Sequence, residues 1–370
     1  MTIIITILAS LLVFGAVIAI HEFGHFAAAK LSGIQVNEFA IGMGPALWKK
    51  IAGGTQYTLR LLPVGGYVAM EGEGSPESNQ AERARDGQPE EAENPIPSDQ
   101  RTGIPFPEAA VWKRAIVMAA GPFMNFVLGF VVLLGLIAFR SEPIASRIIY
   151  EVEEGALCGQ TGLQAGDEIV AVNGRRCFVT NDILYELART RDTQADFTVR
   201  RDGRLLELPG VRFDTYTGED GGTRMNIGFT VYALARTPLN VLKESVNSEL
   251  YYSRIIFTSL IDLLQGRESI NNLSGPVGIV SAISQAASYG LTDVVEMLVL
   301  ITVNLGVFNL LPIPALDGGR LVFLGVEAVI RRPVSERLQE NLTLATFILL
   351  FGLMIFATYN DVIRLFTGGL

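Results

Sequence analysis

Both histidines of the 370-residue chain fall inside one pentapeptide, His21-Glu22-Phe23-Gly24-His25. On an α-helix, residues four apart project from nearly the same face, so His21 and His25 can grip one metal ion together. Zinc suits paired imidazoles, and two histidines at this spacing with a glutamate after the first form a metalloprotease signature. Glu22 stands where a carboxylate could take the proton of an attacking water. The competing explanation is chance, or two core histidines satisfied by other polar groups. It leaves unexplained why a Glu and two His stand at the end of an apolar run, where ionisable groups are costly and usually functional. The pattern points to metal-dependent hydrolysis in an unusual solvent.

That solvent is written in the elements around the pentapeptide. Hydrophobic residues make up 49% of the chain and the mean hydropathy is +0.36, high for a soluble protein of this size. Four segments carry the excess: residues 1–20, 115–139, 297–311 (which extends back to 291) and 342–359. A helix needs roughly 20 apolar residues to cross the hydrocarbon core, so four spans are expected. A cleaved signal peptide is the alternative for the first, but no charged n-region precedes it and it leads into the pentapeptide rather than a small-residue cleavage site.

Lys30, Lys49, Lys50, Lys113 and Arg114 lie between spans one and two, and Arg320, Arg331, Arg332 and Arg337 between spans three and four. Arg140, Arg147 and Arg364 flank the other side. This bias puts the first and third loops in the cytoplasm, and both termini and residues 141–290 outside. The net charge of −9 is concentrated in residues 71–110, an acidic Pro-rich stretch expected to be a mobile cytoplasmic loop. Nothing in the charge pattern suggests nucleic-acid binding.

A catalytic zinc usually has three protein ligands and one open position. There is no third His, and Cys158 and Cys177 lie in the extracytoplasmic segment, so the third ligand is expected to be a carboxylate. Spans one and three run in the same direction and end at the same face. Just after span three stands Asn309-Leu-Leu-Pro-Ile-Pro-Ala-Leu-Asp317-Gly-Gly-Arg320. Its two prolines prevent a regular helix, and Gly318-Gly319 permits unusual backbone angles. Asp317 is the expected ligand; a helix N-cap or turn role is the alternative, and the two could coexist. Asn309 could donate to a developing oxyanion or serve as interhelical glue, the role expected of Asn125 and Asn304.

HEFGH in the first span with NLLPIPALDGG after the third resembles the site-2 protease family of intramembrane zinc metalloproteases, in its RseP-like bacterial branch. Arg60-Leu-Leu-Pro-Val-Gly-Gly-Tyr-Val-Ala-Met70 resembles that branch's membrane-associated β-hairpin. Ala120-Gly-Pro-Phe-Met-Asn125 resembles the opening of its second span, and Ser274-Gly-Pro-Val-Gly-Ile279 a motif before its third. The resemblance implies one zinc per chain, held within the bilayer by His21, His25 and Asp317, with Glu22 as base. It also implies that Asn309 holds substrate backbone or stabilises the oxyanion. Gly65 and Gly66, in the hairpin, are candidates for pairing with an extended substrate.

Between spans two and three, Gly162-Leu-Gln-Ala-Gly-Asp-Glu-Ile-Val-Ala-Val-Asn-Gly174 is a turn into an apolar strand ending on an Asn-Gly hairpin signal. A helical stretch at 181–190 and strands around an Asp202-Gly203 turn follow, and the whole resembles a PDZ domain over 143–232. Such domains take up peptide ends by strand addition, here with Ile227-Gly228-Phe229 a candidate groove edge. One such module is found, where some relatives have two. Cys158 and Cys177 both belong to it, in a compartment that permits disulfides; two packed thiols are expected, with a disulfide as the alternative. Residues 238–290 read as an amphipathic region, lying on the membrane or packed under the module.

The expected architecture is thus a multi-pass α-helical membrane protein of about four transmembrane helices, with a membrane-associated β-hairpin and one extracytoplasmic PDZ-like α+β domain. Its parts are a first span with the pentapeptide (1–30), a cytoplasmic-side loop and hairpin (31–70), the acidic loop (71–110) and a second span (111–140). After the module and the 238–290 linker come a third span with the Asp-bearing loop (291–319), a cytoplasmic segment (320–340) and a fourth span (341–366). The expected activity is zinc endoproteolysis of single-pass proteins in a bacterial inner membrane, with anti-sigma factors or remnant signal peptides as substrates. A non-catalytic PDZ scaffold with a structural metal is the alternative, and a metal transporter a weaker one, since a base beside HExxH does not suit a site that releases its ion.

Overall fold

The apolar N-terminal run does not stop at Ile20: helix α1 covers Thr2–Leu31 and carries the pentapeptide in its C-terminal half. The computed structural model of the chain describes residues 2–73, 96–190, 193–217 and 223–367. It divides into one unit of residues 1–132 with 256–370 and another of residues 133–255.

In the first unit, α1 is followed by strands β1 (Val36–Ala52) and β2 (Thr55–Met70). The hairpin therefore begins 24 residues before the stretch that resembled one, and it is folded on itself. Ala52 pairs with Thr55 at the tip, while Glu38–Ile41 pair with Ala69–Gly66 on one side and with Gln56–Leu59 on the other. Among the described residues, 66–70 thus have β1 along one flank only and form an edge. Arg60, almost fully buried, ties the layers together: its guanidinium reaches the Gly44 carbonyl and the Tyr67 hydroxyl, and Glu38 accepts from Tyr67 and Thr58. Such a buried network is stable only because its members satisfy one another.

Among the described residues, four helices are long and apolar enough to span a membrane: Ile5–Leu31 of α1, α2 (Val111–Phe139), and the two introduced below as α7 and α9. The chain is a multi-pass membrane protein in outline. Part of the stretch expected to be mobile is ordered. Ile96 is fully buried, Ile34 bridges to Ile104, and Phe106 N–H donates to the Glu71 carbonyl. Ile96 and Phe106 supply packing there; residues 74–95 lie outside the described residues.

In the second unit, β3 (Ile144–Val152), α3 (Leu157–Gln160), β4 (Glu168–Val172), β5 (Arg175–Arg176) and α4 (Thr180–Ala188) come first. Strands β6 (Gln194–Arg201), β7 (Arg204–Arg212), β8 (Asp214–Thr217), β9 (Thr223–Asn226) and β10 (Phe229–Leu234) complete it. The main sheet has the order β10-β3-β4-β6-β7, with β5 on β4 and a separate β8–β9 ribbon. Both expected turns form, with positive φ at Asn173-Gly174 and at Asp202-Gly203, the conformation that two-residue hairpin loops need. Phe197, Phe213, Ile149 and Ile169 fill the core. Cys158 and Cys177 are free, buried thiols of that core, and burial pushes the Cys177 thiol up to about 12.

Helix α5 (Pro238–Leu264) leads back to the first unit, where α6 (Pro276–Tyr289), α7 (Leu291–Asn309), α8 (Asp317–Ile330) and α9 (Glu336–Thr367) follow. Val13 and Val17 of α1 pack with Ile283 of α6 and Leu298 of α7. The SGPVG motif has a mechanical meaning. Pro276 opens α6, and Gly278 N–H donates 2.7 Å to a carboxylate oxygen of Asp361 on α9. Cβ atoms at Gly275 and Gly278 would come within 2.9 and 2.7 Å of that carboxylate. An acid at a helix N-terminus meets the positive end of the helix dipole. Asp361 and Ala357 are the buried residues of α9, so this contact is its main anchor. Gly278→Ala is expected to lower stability by about 2 kcal/mol, typical of a clash at a buried polar contact. Thermal unfolding in detergent checks this; an unchanged midpoint would show that the contact anchors nothing.

Candidate metal centre

The α-helical register of α1 sets His21 and His25 on one face, and α2 supports both rings. His25 Nδ1 lies 2.8 Å from the Val117 carbonyl. A carbonyl only accepts, so Nδ1 carries the proton and Nε2 presents its lone pair inward. His21 Nδ1 lies 3.2 Å from the side-chain amide of Asn125, which is fully buried. The amide nitrogen is the atom that faces it; with the amide turned over, Asn125 would accept from Nδ1–H, which would also give the otherwise unpartnered Asn125 Oδ1 a donor. The Asn125 backbone carbonyl accepts in turn from Thr302 Oγ1 of α7 at 3.1 Å.

Close approach of α1 and α2 makes these contacts possible, and glycine makes the approach possible. A Cβ at Gly24 would fall 2.3 Å from the Ala120 carbonyl oxygen, and one at Gly121 would fall 2.2 Å from His25 Nε2. Gly121 and Asn125 are four residues apart and share the face of α2 that meets the histidines.

Asp317 arrives from a third element. It is the first residue of α8, behind an N-cap at Leu316 that makes no side-chain cap bond, so it neither caps the helix nor turns the chain. Gly318 and Gly319 do not adopt positive φ. They matter through space instead: Cβ atoms there would fall 2.1 Å from the Leu311 carbonyl oxygen and 2.2 Å from that of Ile313. The glycine pair lets α8 start directly against the Pro-rich loop. Burial alone would raise the Asp317 carboxyl, but its contacts with His21 and His25 hold it well below the usual carboxylate range. Arg114 of α2 holds the far part of α8 through a two-pronged ion pair to Glu327, at 2.6 and 3.1 Å. Arg320 of α8 pairs with Glu73, whose carboxyl burial pushes up against the pull of Arg320.

The three donors converge. His21 Nε2 and His25 Nε2 are 3.2 Å apart, and Asp317 Oδ2 is 3.3 and 3.4 Å from them. With both Nδ1 atoms protonated, the three atoms present lone pairs to one spot, an arrangement that suits a bound cation. Tetrahedral zinc bonds of about 2.0–2.1 Å set neighbouring donors roughly 3.3–3.4 Å apart, so donor types and spacing both fit zinc. These are the residues among those described whose side chains group as a metal site.

Other expected residues divide. Gly66 sits on Glu22, a Cβ there lying 3.0 Å from Glu22 Cγ, so the edge of the folded hairpin lies against the candidate base. Gly65, at φ +86°, is required by its backbone and packs on Met43. Asn309 ends α7, half-buried, with no side-chain hydrogen bond among the described residues. Asn304 is exposed, so it is not the interhelical glue expected of it. Asn125 does join helices but also orients a candidate ligand, which makes its expected role too narrow. The signal was present: an Asn four residues after a Gly, inside an uncharged span.

Sequence comparison agrees with this geometry. A family model described as "Peptidase family M50" matches residues 9–353. The chain is similar to "Zinc metalloprotease RasP" of Shouchella clausii, 33% identical with 98% of this chain and 100% of the relative covered. It is also similar to a putative zinc metalloprotease of Clostridium perfringens, at 32% over 96% and 98%. "Regulator of sigma-W protease RasP" of Bacillus subtilis is 30% identical over 98% and 99%.

Asn125→Ala is expected to weaken zinc affinity by about 10–100-fold, the usual cost of losing a ligand-orienting partner, with helix content retained. Zinc titration against a competing chelator, alongside circular dichroism, measures it. Unchanged affinity would reduce Asn125 to helix packing.

Proposed function

The chain belongs to peptidase family M50, the site-2 protease type of zinc metallopeptidase, and on that premise we propose that it cuts transmembrane segments of single-pass proteins at a zinc held by His21, His25 and Asp317, with Glu22 as general base. The observation that carries this reading is the convergence of three lone pairs next to a glutamate on which a free strand edge rests.

Zinc, when bound, supplies polarisation of the scissile carbonyl and an acidified water. The chain's own residues do the rest. The Glu22 carboxylate accepts the proton of the attacking water and delivers it to the leaving amine. Asn309, with an uncommitted amide, donates to the carbonyl oxygen as charge develops, an interaction worth roughly 3 kcal/mol in other hydrolases. A substrate helix hides its carbonyls in hydrogen bonds and has to unwind before attack. The 66–70 edge supplies the replacement bonds by strand addition. Gly66 has no side chain to hold the substrate away from Glu22.

The second unit fits a PDZ-like module over 143–232, in which the sheet edge at β10, next to Ile227-Gly228-Phe229, takes up extended peptide ends. The Lys and Arg bias assigns that module to the outside of a bacterial inner membrane and the zinc to the cytoplasmic side. The sigma-W regulator name of the Bacillus relative supports membrane-bound anti-sigma factors, already shortened outside, as substrates; remnant signal peptides have the same single-pass form.

Two outcomes follow. Glu22→Gln should keep zinc bound but abolish cleavage of a tagged single-pass reporter with a shortened outer domain. Residual cleavage within tenfold of wild type would remove Glu22 as the base. Proline at Val68 and, separately, at Ala69 tests the strand edge, because N–H groups alternate along a strand and one of the two faces outward. One of these variants should cut at least tenfold more slowly at unchanged zinc content, and equal cleavage by both would sink strand addition.

A further inference from the structure

On α1 and α2, a groove of about 370 Å³ is lined by Gly24, Ala27 and Ala28 on one side and by Ile116, Ala120 and Phe123 on the other, and not by the histidines. At one end stand Trp112 and Lys113. Trp112 is 62% exposed, and the Lys113 ammonium lies 5.8 Å from its ring while donating to the Ser32 carbonyl at 2.9 Å. Unlike its neighbour Arg114, Lys113 has no carboxylate partner among the described residues.

The dimensions select the occupant. From Lys113 to Phe123 is ten residues of helix, about 15 Å at 1.5 Å per residue, which is half of the roughly 30 Å hydrocarbon core. The groove is one leaflet deep. Its apolar lining over that length suits a hydrocarbon chain laid along the two helices. At the shallow end, an interfacial tryptophan marks headgroup level, and an ammonium with free donors suits a phosphate.

We propose that this groove is a binding site for one anionic phospholipid, with an acyl chain between α1 and α2 and the headgroup phosphate at Lys113. The proposal rests on α1 and α2 being membrane spans, not on the peptidase reading. The chain bound there backs the Gly24–Ala120 contact from the lipid side, and that contact is what brings His25 against α2.

Native mass spectrometry of the detergent-solubilised full chain, titrated with phosphatidylglycerol or phosphatidylcholine, tests the site. Wild type should retain one phosphatidylglycerol at activation energies that strip all others. Ala27→Trp, which fills the groove, should weaken that retention at least tenfold, and Lys113→Gln should keep a lipid but lose the preference for phosphatidylglycerol. Zinc content reports folding; if Ala27→Trp fails to hold zinc, Ile116→Trp blocks the groove from the other wall and is read in its place. Equal retention by wild type and the groove-filled variant, or an unchanged headgroup preference in Lys113→Gln, would overturn the proposal.

Discussion

Three lone pairs pointing at one spot among largely buried side chains are the constraint from which the rest of this architecture follows. His21, His25 and Asp317 stand 3.2–3.4 Å from one another, a spacing that suits a bound cation. Holding imidazoles so close requires their other nitrogens to be fixed. Val117 and Asn125 do this from α2. Those groups reach the rings only because Gly24 and Gly121 remove the side chains that would keep the helices apart. Small residues at a membrane helix interface usually serve packing; here the same device serves the orientation of two side chains.

The folded hairpin answers a second demand. A peptide bond in a transmembrane helix cannot be attacked while its carbonyl is bonded within the helix, and a freed backbone in hydrocarbon is costly. On the proposed reading, an edge strand against Glu22 would offer partners at the place where unwinding is needed. Such an edge is also an aggregation hazard. The Arg60–Tyr67–Glu38–Thr58 network lies just behind it and pins the layers, so residues 66–70 keep their register against β1.

Much of this was legible in the sequence where the signal is local. HExxH spacing, apolar span length and the Asn-Gly and Asp-Gly turns are set by residues near in sequence, and each formed as expected. What escaped was set by contacts distant in sequence. The hairpin's first strand contains Lys49, Lys50 and a mixed pattern that gives no clean alternation, because its pairing on two flanks replaces one buried face by a stack of edges. Gly318-Gly319 looked like a source of unusual φ, but its use is proximity to the Leu311 and Ile313 carbonyls, which no period in the chain encodes. Residues 96–110 read as part of a mobile acidic loop and instead pack through Ile96 and Phe106. Asn125 looked like packing because its partner lies 104 residues away.

The division of the donors between elements has a consequence for assembly. Two of them are preset by the α1–α2 contact, whereas Asp317 depends on where α8 begins. α8 is tied to α2 by Arg114–Glu327 and to the start of the acidic stretch by Arg320–Glu73. A metal bridging the two halves adds its binding free energy to the docking of α8, since binding to a site that exists only when folded is folding free energy. The same connection runs in reverse. A shift of α8 moves one donor while leaving the other two in place, so the position of α8 sets whether the third donor joins the pair that α1 and α2 hold.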